Sequence, residues 1–235
     1  MTEIENLYSF IGGRFVSPSN EIQAKLYNIR AFVFDWDGVF NDGQKNAHGS
    51  SNFSEVDSMG TNLLRFSHFL KQGGLPITAI ISGEKNETAF FFSERECFHY
   101  SFFKVPHKKA ALDFICEKEN ISPDQVAYFF DDVLDLPIAE LCGIRILINQ
   151  KANPLFTHYC IKNKLVDYLT ANCGGHFAVR ESTELLCGLN DNFNEVIEDR
   201  VKNSAHYQTY IQARRQIKPE FFTLKDGAIL PVKMA

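Results

Sequence analysis

Residues 31–38 read AFVFDWDG. The first four are apolar and β-capable, and the run stops on two aspartates and a glycine. A short, continuous apolar run of this kind predicts a strand buried on both faces and ending in a functional loop. The pattern recurs. PITAII at 76–81 runs into Ser82 and Gly83, VAYFF at 126–130 runs into Asp131 and Asp132, and IRILI at 144–148 reads as a further strand. Helical spacing lies between them. It covers residues 60–72, closed by Gly73 and Gly74, then a helix from near Asn86, another at 107–119 and a short one at 134–142. Repeated strand, loop and helix imply an α/β fold: a mostly parallel sheet with helices on both faces, a Rossmann-like three-layer α/β/α sandwich. Ligands of such sheets collect beyond the carboxyl ends of the strands. Asp35, Ser82 and Asp131 each follow a predicted strand directly, so one sheet edge gathers them from distant parts of the chain.

The chemistry follows from that convergence. On a continued strand Asp35 and Asp37 would face the same way. Paired carboxylates repel unless a proton or a cation relieves them, and Asp131 and Asp132 add charge. A hard divalent cation with oxygen ligands answers this, and Mg²⁺ is the ordinary one. Asp35, Asp37 and Asp131 are the candidate ligands, with Asp132 and Asp135 in support. A phosphate monoester gives the arrangement a purpose. Asp35 is then the nucleophile that forms a phosphoaspartate. Asp37 protonates the leaving alcohol and later takes a proton from water. Lys108 and Ser82 stabilise the transferring phosphoryl group.

Each assignment has a plainer alternative. DWDG is also a turn sequence, and Ser82 suits a helix cap. Lys108 and Lys109 suit a solvated helix start. One of Asp132 and Asp135 is expected to position backbone or a lysine, and Asp42 suits a turn cap. Arg180 suits an anion or an ion pair with a carboxylate.

Composition narrows the class. Hydrophobic residues are 45% and charged residues 23%, an ordinary globular mix, and 235 residues suit one α/β domain with extensions or two small domains. Net charge is -5 and no basic run occurs, so nucleic acid is not an expected partner. The six cysteines form no CxxC pair and read as buried thiols of a reducing compartment. Neither a signal peptide nor a membrane span is apparent, so a cytoplasmic location is expected. No HExxH, GxGxxG or P-loop spacing occurs.

The motifs resemble those of the haloacid dehalogenase-like (HAD) phosphatases. DWDG at 35–38 resembles their first motif, IISG at 80–83 the second, Lys108 the third, and DDVLD at 131–135 the acidic fourth. The resemblance implies that Asp131 reaches Mg²⁺ and that the Asp37 backbone carbonyl is another ligand. A narrower resemblance covers about residues 30–185. FDWDGVFNDG, HKKAALDF, ISPDQVAYFFDDVLDLP and GGHFAVRE are similar to the capless phosphatases of 3-deoxy-D-manno-octulosonate 8-phosphate. It implies a small sugar or sugar-acid phosphate as substrate. It also implies a homo-oligomer, typically a tetramer, whose neighbouring subunit helps enclose the site. Only residues 39–59 separate the first motif from the next predicted helix, too few for a large cap domain.

Three positions depart from that pattern. Phe130 stands where glycine usually precedes the paired aspartates, Glu84 where arginine follows the second motif, and SEVDSMG at 54–60 matches only in part. Phe130 and Glu84 motivate a second reading, a non-catalytic HAD-fold module that binds a sugar phosphate or a protein. A phosphotransferase with a different acceptor is a third. The expected organisation is an N-terminal extension (1–29), a HAD-like phosphatase domain (30–185) and a C-terminal helical extension (186–235).

Overall fold

A computed structural model describes residues 2–47, 49 and 51–232. The strands are β1 (Arg14–Phe15), β2 (Ala31–Phe34), β3 (Ile77–Ile81), β4 (Tyr100–Phe103), β5 (Val126–Phe130), β6 (Ile144–Asn149), β7 (Tyr168–Cys173), β8 (Glu220–Lys225) and β9 (Ala228–Pro231). They form one sheet in the order β1-β7-β6-β5-β2-β3-β4-β8-β9. Every pairing from β7 to β8 is parallel, and only the outermost strands, β1 and β9, run antiparallel. The helices are α1 (Glu3–Phe10), α2 (Ser19–Leu26), α3 (Glu55–Gln72), α4 (Glu87–Glu96), α5 (Lys109–Glu119), α6 (Leu136–Ala139), α7 (Pro154–Lys162), α8 (Ala178–Leu189), α9 (Phe193–Lys202) and α10 (Ala205–Arg215).

Side-chain alternation builds the layers. Phe32 and Phe34 of β2 and Phe129 of β5 enter one core, with Leu64 of α3 and Leu186 of α8. Ala31 and Val33 of β2 and Val126, Tyr128 and Phe130 of β5 enter the other, with Leu112 of α5 and Ile138 of α6. A strand buried on both faces needs no polar alternation, which is why these runs are continuously apolar. The result is the expected three-layer α/β/α sandwich. Among the described residues, 35–54 between β2 and α3 contain no helix or strand, and no cap is seen there.

The two terminal segments supply both edges of the sheet. Residues before β2 give β1, which pairs with β7, and α1 and α2, which contact α8. The chain after α8 is helical only in its first part. Strand β8 then pairs with β4, and the chain turns at Asp226-Gly227, as the sequence suggests, into β9. Both turn residues have positive φ, 52° and 79°, the twist that a two-residue hairpin prefers.

Helices α3 and α8 pack through Gly60. A Cβ there would lie 2.4 Å from Thr183 Oγ1 and 2.9 Å from the Arg180 Cα. Gly60→Ala should therefore destabilise the protein by about 1–3 kcal/mol, although alanine is worth about 1 kcal/mol more than glycine inside a helix. A denaturant midpoint equal to or above that of the parent would contradict this close packing.

Candidate active site

Four parallel strands end side by side above the sheet. β2 delivers Asp35, β3 delivers Ser82, β5 delivers Asp131 and β6 delivers Gln150. Lys108 stands at the start of α5. Its ammonium lies between two carboxylates, 2.7 Å from Asp35 Oδ1 and 2.6 Å from Asp135 Oδ1. Only 5% of Lys108 is exposed, so this is a buried cation rather than a solvated helix start. Asp135 is satisfied on both oxygens. Oδ1 also accepts the Tyr128 hydroxyl at 2.5 Å, and Oδ2 accepts the Asp132 N–H at 3.3 Å. Of the two residues weighed for a supporting role, Asp135 is therefore the one that positions the lysine. Asp132 is exposed, and its Oδ1 accepts the Val133 N–H at 2.7 Å, capping the short turn 133–135.

Asp35, Asp131 and Asp135 each place a carboxylate oxygen within 4.8 Å of the others. Burial, then the charges of Asp35 and Asp135, raise the Asp131 carboxyl well above its ordinary range. Burial raises Asp35 too, against the pull of Lys108. Burial opposes the charged form of Lys108, yet Asp35 and Asp135 outweigh it and hold the ammonium above its usual pKa. One lysine cannot balance three ionised carboxylates, so without a cation the cluster favours a bound proton. Asp35 and Asp131 are hard oxygen donors with capacity to spare, and such a donor set fits a divalent cation. The side chain of Asp37 is engaged elsewhere: Oδ1 accepts from Ser51 Oγ at 2.9 Å and Oδ2 meets Lys45 Nζ at 2.9 Å. Any part that Asp37 takes in metal binding falls to its backbone carbonyl.

These residues border a cavity of about 410 Å³ that includes Asp35, Asp37, Glu84, Lys108, Asp131 and Gln150. Ser82 is buried beneath this surface, with its Oγ accepting the Glu84 N–H at 3.3 Å. Phe130 does not crowd the loop. It is the last residue of β5, and its ring lies in the core, stacked on Tyr128 at 5.7 Å and 3°. Glu84 stands exposed on the cavity border. Asp42 accepts the Gln44 N–H at 3.1 Å, the turn-capping role weighed for it. Arg180 Nε donates to Glu184 at 2.6 Å, an ion pair within one helix.

Several partners escaped the sequence reading. Gln150 Nε2 donates to the Gly38 carbonyl at 2.8 Å and to Asp131 Oδ2 at 3.2 Å. Its position directly after β6 was an available signal. Tyr128, Lys45 and Ser51 carried none, because they read as core and loop. Gly38 has φ +81°, and a Cβ there would fall 1.9 Å from Asp131 Oδ2. Only glycine lets the first and fourth motifs approach this closely.

No family model matches the chain. The 3-deoxy-D-manno-octulosonate 8-phosphate phosphatase KdsC of Escherichia coli BL21-DE3 is 30% identical over 176 residues, covering 72% of this chain and 84% of that protein. The KdsC of Salmonella typhimurium is 30% identical over 179 residues, covering 73% and 85%. Among solved structures, the 3-deoxy-D-manno-octulosonate 8-phosphate phosphatase of Moraxella catarrhalis, in complex with magnesium, phosphate and KDO, superposes with TM-score 0.63 at 29% identity, covering 76% of this chain and 97% of that one. Extensive sequence coverage and a shared α/β fold agree, and the chain belongs to the KdsC family of HAD-like phosphatases.

Proposed function

We propose that this protein hydrolyses a small phosphate monoester, that of a sugar or sugar acid, through a phosphoaspartate on Asp35. The observation that carries the reading is the buried Asp35–Lys108 pair at 2.7 Å beside Asp131, at the carboxyl edge of a parallel sheet. Asp35 attacks phosphorus, the bond from phosphorus to the leaving oxygen breaks, and Asp37 gives that oxygen a proton. Water then loses a proton to Asp37 and attacks the same phosphorus, and the bond to Asp35 breaks. Lys108 offsets charge on the transferring group while Asp135 and Tyr128 hold its position. Asp35 and Asp131, with the Asp37 carbonyl, would hold Mg²⁺, and the ion would supply further charge neutralisation at the phosphoryl group. Ser82 donates a hydrogen bond to the transferring phosphoryl group.

The names of the relatives favour 3-deoxy-D-manno-octulosonate 8-phosphate among sugar phosphates. No cap covers the cavity among the described residues, so association of copies, as a tetramer, would complete it. Light scattering of the purified protein tests that assembly, and a monomer at assay concentrations would contradict it. No described helix is long and apolar enough to cross a membrane.

The deciding experiment is Mg²⁺-dependent phosphate release across a panel of sugar, sugar-acid and small organic phosphates. Selective release supports the proposal. No release by folded, Mg²⁺-loaded protein would favour the non-catalytic binding module. Glu84 adds a sharper expectation. A carboxylate on the cavity border repels a dianionic substrate, so Glu84→Arg should lower KM about 3- to 10-fold at low salt, with little change in kcat. The gain should shrink as ionic strength rises. A salt-independent KM would mean that Glu84 does not face the incoming substrate.

A further inference from the structure

We infer that Ser51 and Lys45 are positioning residues that aim the Asp37 carboxylate; the inference rests on the reading that Asp37 moves the protons of a phosphatase reaction. Ser51 is buried, 4% exposed, in the loop between β2 and α3. Its hydroxyl lies within hydrogen-bond distance of three groups: Asn86 Nδ2 at 2.7 Å, Trp36 Nε1 at 3.2 Å and Asp37 Oδ1 at 2.9 Å. The direction of each bond is decided by the partners. An indole nitrogen only donates. The Asn86 amide cannot turn over, because its oxygen accepts the N–H groups of Thr88 and Ala89 and caps α4. Both therefore donate to Ser51, filling the two lone pairs of its oxygen. The single hydroxyl proton is left for Asp37 Oδ1.

The other oxygen of Asp37 meets Lys45 Nζ at 2.9 Å. Each carboxylate oxygen thus has its own donor, and the two donors come from the same loop. Two-point contact fixes the plane of a carboxylate that otherwise stands on the first loop beyond the strand, with 23% of its side chain exposed. The network also ties that plane to α4 through Asn86 and to the core through Trp36, which is fully buried. A proton-transfer group is useful only while it stays in reach of the leaving oxygen. Ser51 and Lys45 supply that constraint without touching the phosphorus.

A loop-stiffening role alone would slow every substrate alike, whereas aiming the acid matters only when the leaving group needs a proton. 4-Nitrophenyl phosphate releases a stable phenolate, and 4-nitrobenzyl phosphate, of similar shape, releases an alkoxide that must be protonated. Comparing kcat/KM for the two isolates the first half-reaction, in which the alcohol departs. Lys45→Met and Ser51→Ala should lower kcat/KM for 4-nitrobenzyl phosphate by about 10- to 100-fold. The loss on 4-nitrophenyl phosphate should stay below about 3-fold, because its leaving group takes no proton. Lys45→Arg and Ser51→Thr should restore the parental ratio. Ser51→Ala strands the donors of Asn86 and Trp36 and can cost the fold; the Lys45 variants, at a side chain 32% exposed, then decide. Equal losses on both substrates would overturn the positioning role alone. Hydrolysis of neither by the parent protein would overturn the phosphatase reading, and the positioning role with it.

Discussion

Asp35→Asn is expected to lower phosphate release at least ~10⁴-fold while leaving the protein folded, because a nucleophile of covalent catalysis has no substitute in the site. An amide oxygen is a far weaker nucleophile than a carboxylate and cannot form the acyl phosphate. The substitution is nearly isosteric and removes one of three carboxylates crowded within 4.8 Å of one another. Lys108 keeps Asp135, 2.6 Å away, as a partner. The thermal midpoint of the metal-free variant should therefore match or exceed that of the parent. A second readout is independent of turnover: the rise in midpoint caused by Mg²⁺ should shrink, since a ligand stabilises in proportion to its affinity for the folded state. Loss of activity with a fallen midpoint would point to a structural defect. Retained activity would remove Asp35 from the mechanism.

Lys108→Met should have the largest effect on stability. The ammonium is buried between Asp35 and Asp135 at 2.7 and 2.6 Å, and Asp131 lies in the same cluster. Methionine fills much of the same space but leaves these carboxylates without their cation. Removing one partner of a buried ion pair typically costs about 3–5 kcal/mol. The denaturant midpoint of metal-free protein should fall accordingly, and Mg²⁺ should recover part of the loss by neutralising the same carboxylates. Phosphate release should drop about 10²- to 10³-fold even with Mg²⁺, through lost charge stabilisation of the phosphoryl group. A midpoint within about 0.5 kcal/mol of the parent, the range of ordinary surface substitutions, would mean that Lys108 is solvated.

The strands that carry the site were legible because each is buried on both faces and therefore continuously apolar. AFVF and VAYFF stand out from polar surroundings and end on Asp35 and Asp131, and IRILI is followed by Asn149 and Gln150. Strands at the sheet's edges and next to them carry no such mark. β1 has two residues, and β8 gains its place only by pairing with β4, far away in sequence. YSFF of β4 was hidden among neighbouring phenylalanines. Asp35, Asp131 and Lys108 could be named from residue type and position after a strand or before a helix.

Which oxygen meets which donor was decided elsewhere. Asp35 and Asp37 are two residues apart, yet the chain leaves the strand at Asp35, so strand alternation no longer governs Asp37. Its side chain turns to Ser51 and Lys45, while Asp135 takes the place beside Lys108. Phe130 stands where the resembling family usually has glycine, and its place in β5 turns the ring into the core beside Tyr128. The local pattern of apolar runs and acids was sufficient to determine the central strands and the acids gathered at their carboxyl ends. Only tertiary structure could apportion that charge, because hydrogen-bond direction depends on donors brought in from the start of α4, the β2–α3 loop and the end of β6, and their proximity exists only once the sheet has assembled.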